Sequence, residues 1–246
     1  MRWKLSVKGR EFGFLNDFKG CFFMEKYVII VAGGSGKRMG GEMPKQFLLV
    51  AGRPVLMHTV DAFARTSGDF KFILVLPKEH FSTWNTLCNE YNFSVPMQMV
   101  AGGKERFFSV KNALAHVPNG ALVAVHDGVR PFVSKETINE AFAVAEEKGS
   151  AVPVIDEVDS LRRVSEGASQ AVNRSEYKRV QTPQVFQSTI LKNAYNQEFS
   201  SFFTDDASVV ESISHEITLT KGNVENIKLT TPHELLLAEA LINGYK

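Results

Sequence analysis

Short apolar runs alternate along the chain with longer stretches of helical period. Four of these runs are continuous rather than alternating, as expected for strands that are buried on both faces. They are YVIIVA at 27–32, KFILVL at 71–76, ALVAVH at 121–126 and AVPVI at 151–155. In 53–65 and 105–117, apolar residues recur with the spacing of one helix face. This alternation predicts an α/β fold with a mostly parallel, twisted sheet and helices on both of its faces.

Capping residues delimit two further helices. Ser134 is a favourable N-cap for a helix that runs to Lys148, and Gly149 follows as a residue that commonly ends helices. Near the end of the chain, 231–234 has capping-box spacing with proline at the first helical position. Gly244 stands where that helix should stop. The pattern therefore predicts one helix before each of these two glycines.

Residues 156–182 depart from the strand–helix pattern. They are polar, rich in arginine and serine, and contain two short segments of alternating polarity, SLRRV at 160–164 and AVNRSEYKRV at 171–180. Such segments predict a β-hairpin arm that protrudes from the main body. We expect residues 24–246 to form a single domain that carries this arm.

The first 23 residues also lack the pattern. They contain lysine and arginine but no continuous apolar segment of the kind found in signal peptides. Met24 then begins MEKYVII, which resembles a natural start. We interpret 1–23 as an upstream start, an expression remnant or a loose extension without a role in the chemistry.

Composition narrows the class of protein. The chain has 246 residues, a formal net charge of +1, 44% hydrophobic and 22% charged residues, which fits a soluble protein with one substantial core. The near-zero charge gives no electrostatic argument for nucleic acid or an anionic membrane. No apolar run approaches the roughly 18–20 residues that span a bilayer. Cys21 and Cys88 form neither a disulfide framework nor a metal-binding spacing, so we expect a reducing, cytoplasmic location.

The loop after the first strand, VAGGSGKRMGGEMPKQ at 31–46, carries the candidate chemistry. It is not a Walker A loop, because Val31 and Arg38 occupy positions that need glycine and serine or threonine. As a dinucleotide fingerprint it is poor, because Met39 stands at the third glycine. Its glycines allow backbone N–H groups to converge on phosphate, flanked by the Arg38 fork and the Lys45 point charge. A flexible turn with solvated cations is the alternative interpretation.

Seven later stretches, taken with this loop, resemble one family in the same order. The loop portion AGGSGKRMGGEMPKQF is followed by AGGKERFFSV (101–110), VHDGVRPF (125–132), VDSLRR (158–163), AVNR (171–174), QTPQVF (181–186), TDDASVVE (204–211) and ENIKLTTP (225–232). The loop resembles that of sugar-phosphate nucleotidylyltransferases. Together the stretches resemble the family of 2-C-methyl-D-erythritol 4-phosphate cytidylyltransferases.

The resemblance implies a Rossmann-like, three-layer nucleotidylyltransferase fold and a nucleotidyltransferase reaction. CMP would pass from CTP to 2-C-methyl-D-erythritol 4-phosphate, with release of pyrophosphate, in non-mevalonate isoprenoid synthesis. The attacking phosphate is already anionic near neutral pH, so no general base is required. Positioning and fixed cations then supply most of the catalysis. The resemblance also implies Mg²⁺ held mainly by the CTP phosphates, and a homodimer.

Matched residue by residue, the resemblance assigns three sets of site residues. Arg38 and Lys45 would stabilise the transition state. The CTP-binding set is Ala32, Gly33, Gly34, Gly102, Gly103, Ser109 and Gly128. The set that positions the polyol phosphate is Asp127, Arg130, Ser160, Thr182, Arg174 and Lys228. In the family the arm crosses a two-fold interface, so its residues Ser160 and Arg174 would serve the neighbouring subunit.

Simpler interpretations compete with several of these roles. The GGKERFFS stretch also fits a strand-to-helix turn, and Asp127 a turn or helix cap. Arg174 also fits a solvated arginine on the arm. We expect His126 to be structural, because the reaction needs no base. For Asp205 and Asp206 we favour a helix N-terminus over a catalytic carboxylate pair.

Two other functions are compatible with parts of the sequence. A cytidylyltransferase for ribitol 5-phosphate would have nearly the same CTP loops, but VDSLRR, AVNR and TDDASVV resemble the methylerythritol enzymes more closely. A nucleotide-binding regulator that had lost catalysis would be expected to lack Arg38, Lys45 or Lys228, and all three are present.

Overall fold

The computed structural model describes residues 24–34 and 43–244, so Arg38 and the segment 1–23 lie outside the described residues. The strands are β1 (Lys26–Val31), β2 (Leu49–Val50), β3 (Arg53–Pro54), β4 (Phe70–Leu76), β5 (Met97–Ala101), β6 (Leu122–Asp127), β7 (Ser150–Asp156), β8 (Arg162–Ser165), β9 (Ala168–Ala171), β10 (Lys178–Val180), β11 (Gln184–Gln187) and β12 (Leu219–Lys221). The helices are α1 (Val55–Ala64), α2 (Phe81–Glu90), α3 (Arg106–Leu114), α4 (Lys135–Lys148), α5 (Ser188–Ala194), α6 (Asp206–Glu211) and α7 (Pro232–Asn243). Across the part of the chain described, no helix is both long and apolar enough to cross a bilayer.

The central sheet of the described chain has eight strands. Their order is β10, β7, β11, β6, β1, β4 and β5, and β12 pairs with β7. Six strands run in one direction, and β10 and β11 run in the other. The predicted α/β fold, with a mostly parallel sheet, is confirmed.

Helices cover both faces of this sheet. Val28 and Ile30 of β1 belong to a core that includes side chains of α1, α2 and α4. Ile29, between them, faces a second core with α3, α5 and α6. Successive strand residues point to opposite faces. The continuous apolar runs of the sequence are therefore required by a sheet that is buried on both sides.

Capping residues fix the ends of α4 and α7 as predicted. Ser134 Oγ accepts a hydrogen bond from the Thr137 backbone N–H at 3.1 Å, and Gly149 follows α4 with φ of +90°. Ahead of α7, Thr231 and Glu234 form a capping box. Both ends depend on local hydrogen bonds, which is why the sequence alone indicates them.

The hairpin arm is present, but its strands differ from the two segments that the alternation indicated. β8 pairs with β9, and every residue of both strands is exposed. The segment 171–180 is divided: Ala171 ends β9, whereas β10 joins the central sheet and pairs antiparallel with β7. Alternating polarity indicates that a strand is present but not which partner it has, so the sequence could not separate the two.

Gly120 and Gly149 both have positive φ, but they differ in how much space an added side chain would have. Gly120 has φ of +78° with open space around it, whereas a Cβ at Gly149 would lie 2.7 Å from Ile190 Cδ1. We predict that Gly120→Ala lowers the free energy of unfolding by about 1 kcal/mol through backbone strain. Gly149→Ala should cost about 1 kcal/mol more, because the Ile190 side chain must move. Denaturant unfolding measures both, and equal losses would contradict the crowding at Gly149.

Candidate active site

Two cavities adjoin at the carboxyl ends of the central strands. The first, of about 280 Å³, is walled by the residues that follow β1 and β5. The second, of about 300 Å³, is walled by the segment between β10 and β11 and by the start of α6. Arg106, Asp127 and Lys228 line both cavities. Ligands of open α/β sheets bind at this edge, so the pair of cavities is the candidate active site.

The first cavity brings together most of the residues predicted to bind CTP, together with Lys45. The predicted residues on its wall are Ala32, Gly33, Gly34, Lys45, Gly103 and Ser109. Gly102 and Gly128 do not line it. A Cβ at Gly102 would lie 3.2 Å from Ser109 Oγ, and one at Gly128 would lie 2.8 Å from the Ala32 Cβ. The absence of a side chain at these glycines therefore allows Ser109 and Ala32, which line the cavity, to lie close to the backbone at 102 and 128. Direct contact of Gly102 and Gly128 with CTP stays a prediction.

Gln46 is a residue of the first cavity that the sequence analysis did not select. Its side chain is 1% exposed, and its Nε2 donates a hydrogen bond to the Ala32 carbonyl at 2.8 Å. The Ala32 N–H in turn donates to the Val75 carbonyl at 2.9 Å. Gln46 thus ties the loop after β1 to the segment that carries Lys45. The sequence signal for it is the PKQ ending of that loop.

Ser109 holds the turn between β5 and α3. Its Oγ accepts a hydrogen bond from the Gly103 N–H at 3.0 Å and donates to the Glu105 carbonyl at 3.2 Å. The strand-to-helix turn considered for this stretch is therefore present. Recognition of the cytosine edge by the same residues stays a prediction.

Asp127 is the charged centre of the site. It ends β6, its side chain is 10% exposed, and its Oδ2 lies 3.2 Å from Arg130 Nε and 3.0 Å from Lys228 Nζ. Its Oδ1 faces Arg106 Nε at 3.8 Å. Burial alone would raise the pKa of Asp127, but the charges of Arg106, Lys228 and Arg130 outweigh it and hold that pKa well below its usual range. The carboxylate is therefore ionised at neutral pH.

Arg130 and Thr182 lie where the predicted polyol phosphate side should be. Both line the second cavity with Asp127 and Lys228. Arg130 is anchored from two sides, because its Nη1 also donates to the Asn226 carbonyl at 2.7 Å. Four of the six residues predicted to position this substrate are thus brought together within one chain.

His126 is buried and has both ring nitrogens engaged. Its Nε2 lies 3.0 Å from the Arg130 carbonyl, and its Nδ1 lies 3.0 Å from Thr182 Oγ1. A carbonyl only accepts, so Nε2 carries the proton, and the neutral ring accepts at Nδ1 from the Thr182 hydroxyl. Thr182 Oγ1 also accepts from the Asp127 N–H at 3.1 Å. This arrangement supports the structural role expected for His126.

The two aspartates of the TDD sequence have different roles. Asp205 caps α6, accepting from the Ser208 N–H at 2.9 Å, which confirms the expected helix start. Asp206 is buried and accepts a hydrogen bond from Arg106 Nη2 at 2.6 Å. Arg106 was also absent from the predicted site. A pair separated by 100 positions leaves no local signal, although the GGKER sequence places an arginine at the start of α3.

Ser160 and Arg174 do not line either cavity. Both are exposed on the arm, and Arg174 Nη1 donates to the Val158 carbonyl of the same arm. One chain therefore assembles the two cavities without these two residues, although Val180, Gln181 and Thr182 at the end of the predicted arm segment line the second cavity. Their predicted role depends on a second chain and stays a prediction.

A family model described as 2-C-methyl-D-erythritol 4-phosphate cytidylyltransferase (IspD) matches residues 26–244. The chain belongs to this family. A member from Bacteroides thetaiotaomicron is 52% identical over 219 residues, which is 89% of this chain and 100% of the relative. Another, from Bacillus licheniformis, is 38% identical over 226 residues, 91% of this chain and 98% of the relative.

Solved structures of cytidylyltransferases share the fold. The 4-diphosphocytidyl-2C-methyl-D-erythritol synthase from Anaerococcus prevotii aligns with a TM-score of 0.77 at 26% identity, covering 90% of this chain and 97% of the other. The 2-C-methyl-D-erythritol 4-phosphate cytidylyltransferase from Thermus thermophilus aligns with a TM-score of 0.70 at 31% identity, covering 90% and 100%. The similarity thus extends over nearly the whole of both structures.

The residues of the site fit a divalent ion that a cytidylyltransferase would receive with its nucleotide. Among the described residues, no group of three or more His, Cys, Asp and Glu side chains is placed to hold a metal. Asp127 borders both cavities, but its carboxylate faces three cations. Mg²⁺ is commonly bound through one or two carboxylates together with substrate phosphates. Glu105, the other carboxylate on the wall of the first cavity, meets that requirement.

Burial lowers the pKa of His126 to about 4, so its neutral form is preferred in the folded chain. The resulting stability is fully present above the unfolded pKa of about 6.5 and is lost as pH falls from there towards 4. We predict that the free energy of unfolding falls by about 3 kcal/mol over this window because of His126 alone.

NMR titration of the His126 imidazole should give a midpoint well below 5. His126→Gln should flatten this part of the pH–stability curve, whereas His116→Gln, at an exposed histidine, should not. An imidazole midpoint near 6.5 would contradict the neutral, hydrogen-bonded ring.

Proposed function

We propose that this chain transfers CMP from CTP to 2-C-methyl-D-erythritol 4-phosphate and releases pyrophosphate. The observation that carries the proposal is the meeting of two cavities at one cation cluster, in a chain of the matching family. Arg106, Asp127 and Lys228 belong to both walls. A phosphate bound in the second cavity and a triphosphate bound in the first would therefore approach each other at that cluster. The proposed compartment is a reducing cytoplasm, where free thiols such as Cys88 are usual.

The residues position and neutralise the reactants. In the proposed mechanism the glycines after β1 hold the nucleotide phosphates by backbone N–H groups. An oxygen of the polyol phosphate attacks the α-phosphorus of CTP, a new P–O bond forms, and the bond to pyrophosphate breaks. Lys45, on the first wall, stabilises the charge that builds on phosphorus, and we propose the same role for Arg38. Lys228, whose side chain is 42% exposed, turns from Asp127 to the incoming phosphate.

We also propose that Mg²⁺ accompanies CTP. When bound, the ion would neutralise phosphate charge and favour departure of pyrophosphate. Glu105 is the acidic residue of the first wall, other than Asp127, that could reach water bound to it. No other step of the proposed mechanism requires the ion.

A homodimer completes the proposal. Ser160 and Arg174 lie on an exposed arm, and several apolar side chains of this part of the chain are also exposed. These are Val158, Val164 and Tyr177. An arm that combines exposed apolar residues with a functional cation suits an interface with a second copy, and a two-fold arrangement gives each site one arm.

Pyrophosphate release tests the reaction directly. The enzyme is incubated with CTP, Mg²⁺ and either 2-C-methyl-D-erythritol 4-phosphate or ribitol 5-phosphate. Release is expected with the methylerythritol substrate, and replacing CTP by ATP, GTP or UTP should reduce it. Turnover that is higher with ribitol 5-phosphate would assign the chain to the other polyol phosphate.

Removing either proposed transition-state cation should reduce turnover while leaving the fold intact. We predict that Arg38→Ala and Lys45→Ala each lower kcat by roughly 10²–10³-fold, the usual cost of losing one transition-state donor. Lys45→Arg should restore only part of the lost kcat, because the planar guanidinium of arginine does not occupy the same space as the compact ammonium of lysine. Lys78→Ala, at an exposed lysine outside both cavities, is the matched control. Near-normal kcat in either alanine variant removes that residue from catalysis.

Mixing two inactive variants tests whether sites are shared. In a dimer of Lys45→Ala with Arg174→Ala, shared sites would place both lesions in one site and none in the other. We predict recovery of about a quarter of wild-type activity after complete subunit exchange. Lys45→Ala mixed with Lys228→Ala is the control, because one chain supplies both lysines to the same cavity. This control should stay inactive. Confirmed exchange without recovery in the first mixture would rule out the shared site.

A further inference from the structure

Asp206 is a buried carboxylate to which the mechanism above gives no role. It is not the helix cap, because Asp205 performs that function. Its Oδ1 accepts from the Tyr195 hydroxyl at 2.6 Å, and its Oδ2 accepts from Arg106 Nη2 at 2.6 Å. Tyr195 is itself 2% exposed and stacks on Phe107 with ring centroids 4.7 Å apart. Asp206 is therefore fixed from two sides within the core.

Arg106 stands between this buried carboxylate and the active site. Its side chain is 28% exposed and lines both cavities. Its Nη2 is hydrogen-bonded to Asp206, whereas its Nε is 3.8 Å from Asp127 Oδ1, beyond hydrogen-bond distance. One guanidinium is thus shared unequally by two carboxylates.

The two oxygens of Asp127 are unequal for the same reason. Oδ2 has the Arg130 Nε and the Lys228 Nζ within 3.2 Å, while Oδ1 faces the more distant Arg106. A hydroxyl of a polyol needs an acceptor, and a carboxylate oxygen is a strong one. Oδ1 is placed to be that acceptor as long as Arg106 does not close on it.

A buried ion pair is weak evidence for stability, since a hydrophobic replacement is often equally stable. The role of Asp206 is therefore better explained by its holding the Arg106 guanidinium in a fixed position. An arginine and a carboxylate readily form a two-point pair, so an Arg106 released from Asp206 would be drawn to Asp127.

We propose that Asp206 and Tyr195 are positioning residues that hold Arg106 away from Asp127 Oδ1 and so keep this oxygen for a hydroxyl of the polyol phosphate. The inference rests on the proposed function and deepens it. Tyr195 fixes Asp206, Asp206 holds Arg106, and Arg106 at its present distance keeps Asp127 charged without occupying its second oxygen.

Asp206→Asn is the primary test. The amide keeps the shape and an acceptor for Tyr195 but loses the charge that holds Arg106. We expect the KM for 2-C-methyl-D-erythritol 4-phosphate to rise about tenfold, as for loss of one hydrogen bond to the substrate. The Kd for CTP, measured by calorimetry, should change less than about threefold. Tyr195→Phe should shift the same KM in the same direction by less, because Asp206 keeps its charge.

Arg106→Gln in the Asp206→Asn background provides the decisive comparison. Removing the guanidinium removes the group that would close on Oδ1. Because Arg106 itself lines both cavities, we expect partial recovery: the KM of the double variant for the polyol phosphate should lie clearly below that of Asp206→Asn alone. A role in packing alone predicts no recovery. Failure of the KM to recover in a double variant that folds, as judged by Tm, overturns the proposal.

Asp61→Asn is the matched control, because Asp61 is a partly buried aspartate bound by Arg53 and lines neither cavity. It should lower Tm without changing the KM for the polyol phosphate. If Asp206→Asn behaves as this control does, the inference fails while wild-type turnover still supports the proposed function. If wild type itself releases no pyrophosphate, the proposed function fails first. Calorimetric binding of the polyol phosphate to each variant then decides the inference, with a tenfold weaker Kd for Asp206→Asn supporting it and an unchanged Kd overturning it.

Discussion

The carboxylate of Asp127, surrounded by three cations, is the interaction on which the site depends. Arg106 reaches it from the start of α3, Arg130 from the turn after β6, and Lys228 from the segment before α7. Without the carboxylate these like charges would repel one another. Each of the three cations lies within 3.8 Å of a carboxylate oxygen, and opposite unit charges about 4 Å apart near a protein surface attract by about 4 kcal/mol. Asp127 thus allows the cations to be assembled before any phosphate arrives.

The three cations are not equally available to a ligand. The side chain of Arg130 is 13% exposed and that of Arg106 28%, whereas that of Lys228 is 42% exposed. Arg130 is also bound to the Asn226 carbonyl and Arg106 to Asp206. Lys228 can therefore move to a phosphate at the lowest cost, and the two arginines can stay in place and maintain the charge of Asp127.

Local patterns predicted the framework, and long-range pairing supplied what they could not. Ser134 and Gly149 bound α4 through neighbouring residues, so their roles are legible in sequence. The glycine loops indicated the first cavity because close approach to phosphate needs small residues at fixed spacing. By contrast, the division of 171–180 between β9 and β10 depends on a distant partner, because β10 pairs with β7 of the central sheet. The sequence analysis missed Arg106 because its partner Asp206 is distant in the sequence. The two residues meet because α3 and α6 share one hydrophobic core.

Thr182 shows how the buried network limits the chemistry at the surface of the second cavity. The neutral His126 ring must accept at Nδ1, so the single proton of the Thr182 hydroxyl is directed inward. One lone pair of that hydroxyl already accepts from the Asp127 N–H. What Thr182 can offer a substrate is its second lone pair, which suits a polyol hydroxyl as donor and not a phosphate oxygen. The cations must then bind the phosphate, and the histidine nearest the site contributes by fixing an acceptor rather than by moving a proton.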